Sequence, residues 1–204
     1  MFNKYCLLFF VSLHAVFLQA QTFFPAKNYP ARAYQNPMDF PISLAGNFGE
    51  CRPNHFHSGI DIRTNKVENQ LVHAIQDGFV SRVKIEAGGF GNAIYITHAD
   101  GYVSLYAHLN KFYPELQEYI VREQYKTKSW RQDIYFKPHQ FPVRKGKFIA
   151  WSGNTGSSEA PHLHMEIRSA KTENPLNPLL FYTGLTDTKA PIVHKLAMYD
   201  GSKS

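Results

Sequence analysis

Four histidines and one aspartate could share one chemical task. His162 and His164 lie in the stretch Pro161-His162-Leu163-His164-Met165-Glu166-Ile167-Arg168, where His162, His164, Glu166 and Arg168 fall on one parity and Leu163, Met165 and Ile167 on the other. Period-two alternation predicts a half-buried β-strand with its apolar face in the core. Two imidazoles at i and i+2 on the polar face can converge on one point above the sheet. Upstream stand His57-Ser58-Gly59-Ile60-Asp61 and Tyr106-Ala107-His108-Leu109. The set suits catalytic zinc, which typically keeps three protein ligands of N and O type and a water in the fourth position. Two histidines and the aspartate suffice as ligands, leaving two histidines to act on the water and the substrate. There is no His-Glu-x-x-His helix, so the common glutamate-base metalloprotease arrangement is excluded. The loop Gly153-Asn154-Thr155-Gly156-Ser157-Ser158 leads into a strand and no Gly-Lys-Ser/Thr occurs, so a phosphate-cradling loop is unsupported.

These residues demand a particular scaffold. On a flat strand the Cα atoms of His57 and Asp61 would stand about 13 Å apart, too far to reach one ion comfortably. If both bind the same metal, the backbone must bend near Gly59, the residue best able to do it. Short strands are predicted at Leu71–Ile75, Phe79–Ile85, Ala93–His98, Tyr102–His108, Lys147–Ser152 and His162–Arg168. Ala99-Asp100-Gly101 makes a hairpin between two of them. Residues 40–56 read as loop, and Asn177–Tyr182 is expected to close the core. One interruption looks helical, with Pro114 at its start and Leu116, Tyr119 and Ile120 at helical spacing, running on to Lys128. Residues 111–142 are therefore expected to be an insertion between strands, rimming or covering the groove as a lid or substrate wall.

The 204 residues suit one domain with a real core, and an aromatic content of 15 % fits a β-rich globular protein. The net charge of +6 suits an anionic surface such as a cell wall or membrane, while no dense Lys/Arg cluster argues for nucleic acid. Residues 1–20 read as an export signal, with Lys4, an apolar core from Cys6 to Leu18, and Leu18-Gln19-Ala20 as cleavage site. That core is shorter than the roughly 20 residues needed to span a bilayer, so no stable membrane span is expected. Removal of the signal would leave Cys51 without an internal disulfide partner. Cys51 itself reads as a small buried hydrophobe. Residues 21–43 read as an extended leader wrapped on the surface, 44–182 as the domain, and 183–204 as a loosely attached tail. His98 reads as structural, while His55, His73, His139 and His194 have no evident role. Glu166 shares the parity of His162 and His164, as either a partner for an imidazole or a solvated strand residue.

The motifs Phe48-Gly49-x-x-Arg52, His57-Ser58-Gly59-Ile60-Asp61, Asp77-Gly78-x-Val80, Gly89-x-Gly91-Asn92, Tyr106-Ala107-His108-Leu109, Ser152-Gly153-Asn154-Thr155-Gly156 and Pro161-His162-Leu163-His164-Met165-Glu166 occur in this order. In order and spacing they resemble the M23 zinc metallopeptidases, the lysostaphin and LytM-like endopeptidases that cut peptidoglycan cross-bridges. The resemblance covers roughly residues 44–182. It implies a mainly antiparallel β-sheet fold with a groove across the sheet. It further implies His57, Asp61 and His164 as ligands of Zn2+, with His108 and His162 as the two non-ligand catalytic histidines. The implied substrate is a peptidoglycan peptide in the periplasm or cell envelope. Some members of this fold lost their ligands and activate other wall hydrolases instead, so a non-catalytic regulator is the competing class. The presence of all five residues here argues against it. The long segment 111–142 departs from the family, which usually has a short link there.

Overall fold

The structure is a computed structural model and describes residues 29–30 and 34–182. The export signal, most of the leader, His194 and the tail from 183 lie outside the described residues. The strands are β1 (Leu44–Gly46), β2 (Ile60–Arg63), β3 (Leu71–His73), β4 (Gly78–Ile85), β5 (Asn92–His98), β6 (Tyr102–Ala107), β7 (Leu109–Phe112), β8 (Gln132–Tyr135), β9 (Pro142–Val143), β10 (Phe148–Ser152), β11 (His162–Ser169) and β12 (Pro175–Leu176). One helix, α1 (Pro114–Thr127), lies between β7 and β8. The larger sheet runs β1-β2-β11-β6-β5-β4-β8, with β12 beside β11 and β9 beside β4, and the smaller runs β3-β10-β7. All the pairings are antiparallel. The mainly antiparallel fold expected from the sequence is therefore the one observed.

Alternation along the strands builds two apolar layers. Ile60, Ile62, Leu163, Met165, Ile167, Ile94, Ile96 and Tyr106 turn to one side of the large sheet and join Val72, Ile149 and Phe112 of the small sheet in the main core. The opposite side carries Ala93, Tyr95, Val103, Leu105 and Ala107, a smaller buried cluster on which Phe90 packs. His164 pairs in register with Ala107 and Glu166 with Leu105. Directly paired residues share a face, so the polar row of β11 lies on this second side.

One expectation about a flanking segment is corrected. Residues 111–142 do not wall the groove, because none of them lines it. Their apolar positions have a different use: α1 buries Leu116 and Ile120, and Phe136 joins the same core. β8 hydrogen-bonds to β4 at the edge of the sheet remote from β2, with Arg82 Nε 2.7 Å from Asp133 Oδ1. The segment thickens the core and extends the sheet. The helix itself begins at Pro114, as its sequence predicts, and ends where Lys128 turns left-handed. The described part of the leader is anchored to the domain. Tyr34 is buried edge-on against Phe181, and its hydroxyl donates to Asp100 Oδ2 at 2.8 Å.

Candidate metal centre

The structure brings all five sequence-predicted residues to one place. His57 precedes β2, Asp61 lies within it, and His164 lies opposite Asp61 on β11 in direct register. The expected bend falls at Ser58-Gly59, just before the strand begins. Gly59 is needed there for close approach, since a Cβ would collide with the main-chain carbonyl of Met165. With the bend made, His57 Nε2 lies 3.1 Å from Asp61 Oδ1 and 3.1 Å from His164 Nδ1, and His164 Nδ1 lies 2.9 Å from Asp61 Oδ1. The three potential ligand atoms all lie within 4.8 Å of one another.

The outer partners of the two imidazoles settle which nitrogens carry protons. His57 Nδ1 is 2.7 Å from the carbonyl of Asn47, which can only accept, so Nδ1 donates and Nε2 presents a lone pair. His164 Nε2 is 3.0 Å from Glu166 Oε1, so in the neutral imidazole Nδ1 presents a lone pair. Two imidazole lone pairs and a carboxylate oxygen thus converge. Three acceptors facing one another repel unless a cation sits among them. A set of two imidazoles and one carboxylate also has the donor chemistry of a zinc site, so these residues fit the metal. Burial disfavours the charge on Asp61, but the contacts of His162, His164 and His57, whose inward nitrogens donate once an imidazole is protonated, outweigh it and hold the carboxyl well below the usual carboxylate range. Burial likewise favours neutral His164, yet Asp61 and Glu166 outweigh it and raise its pKa. The raised value expresses the same demand for positive charge at the centre.

Glu166 is fully buried and its carboxylate is completely engaged. It accepts from His164 Nε2, from the Ser58 hydroxyl, and from Arg168 Nε at 2.6 Å. Despite burial, His164 and Arg168 keep its pKa below that of a free glutamate. The residue is therefore a partner for an imidazole, not a solvated strand position.

His162 and His108 flank the centre, their rings 4.8 Å apart. His162 Nδ1 donates to the Ala160 carbonyl at 2.8 Å, and its Nε2 stands 3.5 Å from Asp61 Oδ1. His108 sits where the chain leaves β6 for β7, with φ of 59°, a strained value for a residue with a Cβ. Its Nδ1 donates to the Thr155 carbonyl at 2.8 Å. Each histidine therefore has Nε2 free as an acceptor in its neutral form. Burial, followed by the charge of His162, pushes the His108 pKa down to about 4. Thr155 also fixes this corner through its hydroxyl, which accepts from the Asn92 N–H and donates to the Leu109 carbonyl. Gly156, at φ of +72°, allows that loop to lie directly on Gly91.

The centre opens into a cleft of about 1080 Å³, large enough for several residues of a peptide. Arg52, present in a sequence motif but without an assigned task, donates to Asp61 Oδ2 at 3.1 Å and is paired with Glu50. Asn47, Ser58 and Thr155 escaped the sequence reading because two act through main-chain carbonyls and one through a hydroxyl contact distant in the chain. Phe90, whose ring lies 5.5 Å from that of His164, carried no signal beyond its glycine-rich loop. Cys51 is exposed, contrary to the buried position expected, because it lies in the short irregular hairpin bridging to Phe56. His98 is structural as expected, buried between the Asp77 carbonyl and the Ser104 hydroxyl, each at 2.8 Å. His73 Nδ1 bonds the Gly146 carbonyl, and His55 and His139 are exposed.

A sequence profile described as Peptidase family M23 matches residues 55–139. The DD-carboxypeptidase/endopeptidase Mpg of Neisseria meningitidis serogroup B (strain ATCC 13091 / M2091) is 34% identical over 123 residues, which cover 60% of this chain and 22% of that protein. The murein hydrolase activator NlpD of Salmonella dublin is 34% identical over 151 residues, 74% of this chain and 32% of that protein. A solved SpoIIQ–SpoIIIAH pore-forming complex contains a chain of the same fold, with a TM-score of 0.50 and 21% identity over 69% of this chain and 84% of that one. These likenesses support a peptidase of family M23, with the profile match confined to residues 55–139. The chain spans roughly a fifth to a third of the length of the curated relatives it matches.

Proposed function

We propose that this chain is an exported zinc-dependent endopeptidase that hydrolyses peptide cross-links of peptidoglycan during cell-wall remodelling. The observation that carries this reading is the convergence of His57 Nε2, Asp61 Oδ1 and His164 Nδ1, each oriented by its own outer partner, at the floor of a peptide-sized cleft. Zinc held by these three residues would polarise the scissile carbonyl and acidify a water. His162, with Nε2 turned to the centre, accepts the proton of the attacking water and returns it to the leaving amine. His108 is kept neutral beside it, so its Nε2 can accept a hydrogen bond from the other O–H of the water and hold the nucleophile in line. Arg52 secures the outer oxygen of Asp61, leaving Oδ1 for the centre.

The likeness to NlpD favours a second reading, in which the domain activates other wall hydrolases without cutting. Digestion of purified sacculi by the purified protein separates the two. The enzyme reading expects soluble muropeptides from the protein alone, abolished by chelator and by His164→Ala. Release that is unchanged by both perturbations, or that requires a second hydrolase, would refute it.

A further inference from the structure

The wall of the cleft holds a pair of cations that the proposed chemistry does not use. In the β2–β11 register, Asp61 faces His164 and Arg63 faces His162. Directly opposed residues share a face, so Arg63 lies on the cleft side, about 7 Å along the strand from Asp61. It lines the cleft, and its Nε donates to the Leu44 carbonyl at 3.1 Å, which holds the side chain along the β1 edge. The chain then turns over Thr64-Asn65-Lys66-Val67, closed by the Val67 N–H donating to the Thr64 carbonyl at 2.9 Å.

Both central residues of that turn are left-handed, Asn65 at φ of 53° and Lys66 at φ of 60°. Turns of this kind favour Asn followed by Gly, because a Cβ clashes in the left-handed region. Here the second position carries lysine. A strained residue at the mouth of a site points to a use for its side chain. Lys66 also lines the cleft.

Among the described residues neither cation is neutralised: Lys84 pairs with Glu86 and Arg52 with Glu50 and Asp61, whereas no ion pair engages Arg63 or Lys66. Glu159, in the loop leading to β11, does not pair with either of them. Between the two cations Thr64 is 1 % exposed, lines the cleft and has a hydroxyl with no partner.

We propose that Arg63 and Lys66 form a carboxylate-binding subsite, selecting peptides with a free carboxylate one or two residues from the scissile amide. The distance follows from Arg63 standing two strand residues from Asp61, since an extended substrate advances about 3.3 Å per residue. The subsite rests on the endopeptidase reading for its meaning but not for its detection. The carboxylate is either the chain terminus of the peptide or a side-chain carboxylate.

The test uses the zinc-loaded full chain and one short cross-linked wall peptide in three forms: unmodified, amidated at its terminus, and amidated at its side-chain carboxylate. Affinity is measured in the His162→Ala background, so that the peptide persists, and cleavage is measured in the wild type. Amidation of the recognised carboxylate is expected to weaken binding about 10- to 100-fold, as for loss of a hydrogen bond to a charged group. The form that weakens identifies the source. In R63Q/K66G the forms should bind within about twofold of one another, while zinc content is retained. K66G alone should raise the thermal midpoint by relieving the turn, which separates lost recognition from lost folding. Equal binding of all three forms to the parent overturns the subsite, whatever the cleavage rates. Carboxylate-dependent binding without cleavage of any form sustains the subsite and refutes the endopeptidase.

Discussion

Glu166→Gln is the substitution that most directly tests how the centre is held. The wild-type carboxylate accepts on both oxygens, from His164 and Ser58 on one and from Arg168 on the other. Glutamine keeps the shape but offers one acceptor oxygen and one donating NH₂. If the amide oxygen faces His164, the NH₂ meets the Arg168 guanidinium, donor against donor. If the amide is reversed, the NH₂ meets His164 Nε2 and that nitrogen must accept. The ring is then protonated on Nδ1, and the proton occupies the ligand position.

Either orientation costs one buried hydrogen bond and leaves a donor unsatisfied, about 1–3 kcal/mol. The loss of a charge that compensates Arg168 adds to this in the direction seen for broken buried ion pairs. Removing an outer partner of a ligating histidine typically weakens metal affinity by about 10- to 100-fold. The expected result is a folded protein whose zinc affinity, read by competition with a chromogenic chelator, falls within that range. Denaturant unfolding of the metal-free form should show the accompanying loss of stability. If stability falls but zinc affinity stays within about twofold of wild type, Glu166 supports the sheet alone and the tautomer argument is wrong.

His162→Ala should retain stoichiometric zinc and lose about 10²- to 10⁴-fold in turnover, as for a removed general acid or base; loss of zinc would instead make His162 a ligand. The depressed pKa of His108 gives a pH dependence of definite sign. Between its unfolded value near 6.5 and its folded value of about 4, the unfolded chain binds a proton that the folded chain does not. Stability should therefore fall as pH drops through that window, and His108→Gln should flatten the slope measured by chemical denaturation. Leu116→Ala, fully buried on α1, should destabilise by about 2–5 kcal/mol while leaving zinc content unchanged; a change in peptide selectivity at unchanged stability would restore the lid reading of residues 111–142.

Much of this was legible in the sequence because strands announce themselves by parity. The alternation of β11 placed His162, His164 and Glu166 on one face, and the geometric conflict between His57 and Asp61 predicted the bend before Ile60. What parity does not encode is cover. Glu166 reads as polar and outward, yet it is buried because Phe90, more than seventy residues away in the chain, lies over that part of the sheet. The same limit explains the misplaced insertion. Its charged and aromatic composition resembles a surface element, and only the pairing of β8 with β4 shows where its apolar residues go. Cys51 failed for the opposite reason: cysteine usually seeks the core, but its neighbours form a bridge too small to bury it.

The four polar residues of β11 show how one sheet face acquires graded chemistry. Their side chains stand about 7 Å apart in a row, and the cover over the row changes along it. His162, at the strand's mouth, reaches the open cleft, so it can exchange protons with water. His164, next in the row, is nearly enclosed, where charge on a ligand set is undiluted by solvent. Glu166 is fully enclosed and stays ionised because His164 precedes it and Arg168 follows it in the row. The order cannot be permuted: an acid at 164 would lack an outer partner of opposite character, and an imidazole at 166 would leave Arg168 unpaired. A register slip of one residue would turn all four into the main core at once. The tight opposition of Gly59 to Met165 guards against it, since a Cβ carried into that position would strike the β11 backbone. The constraint on Gly59 is thus a constraint on the proton shuttle, the ligand and its orienting carboxylate together.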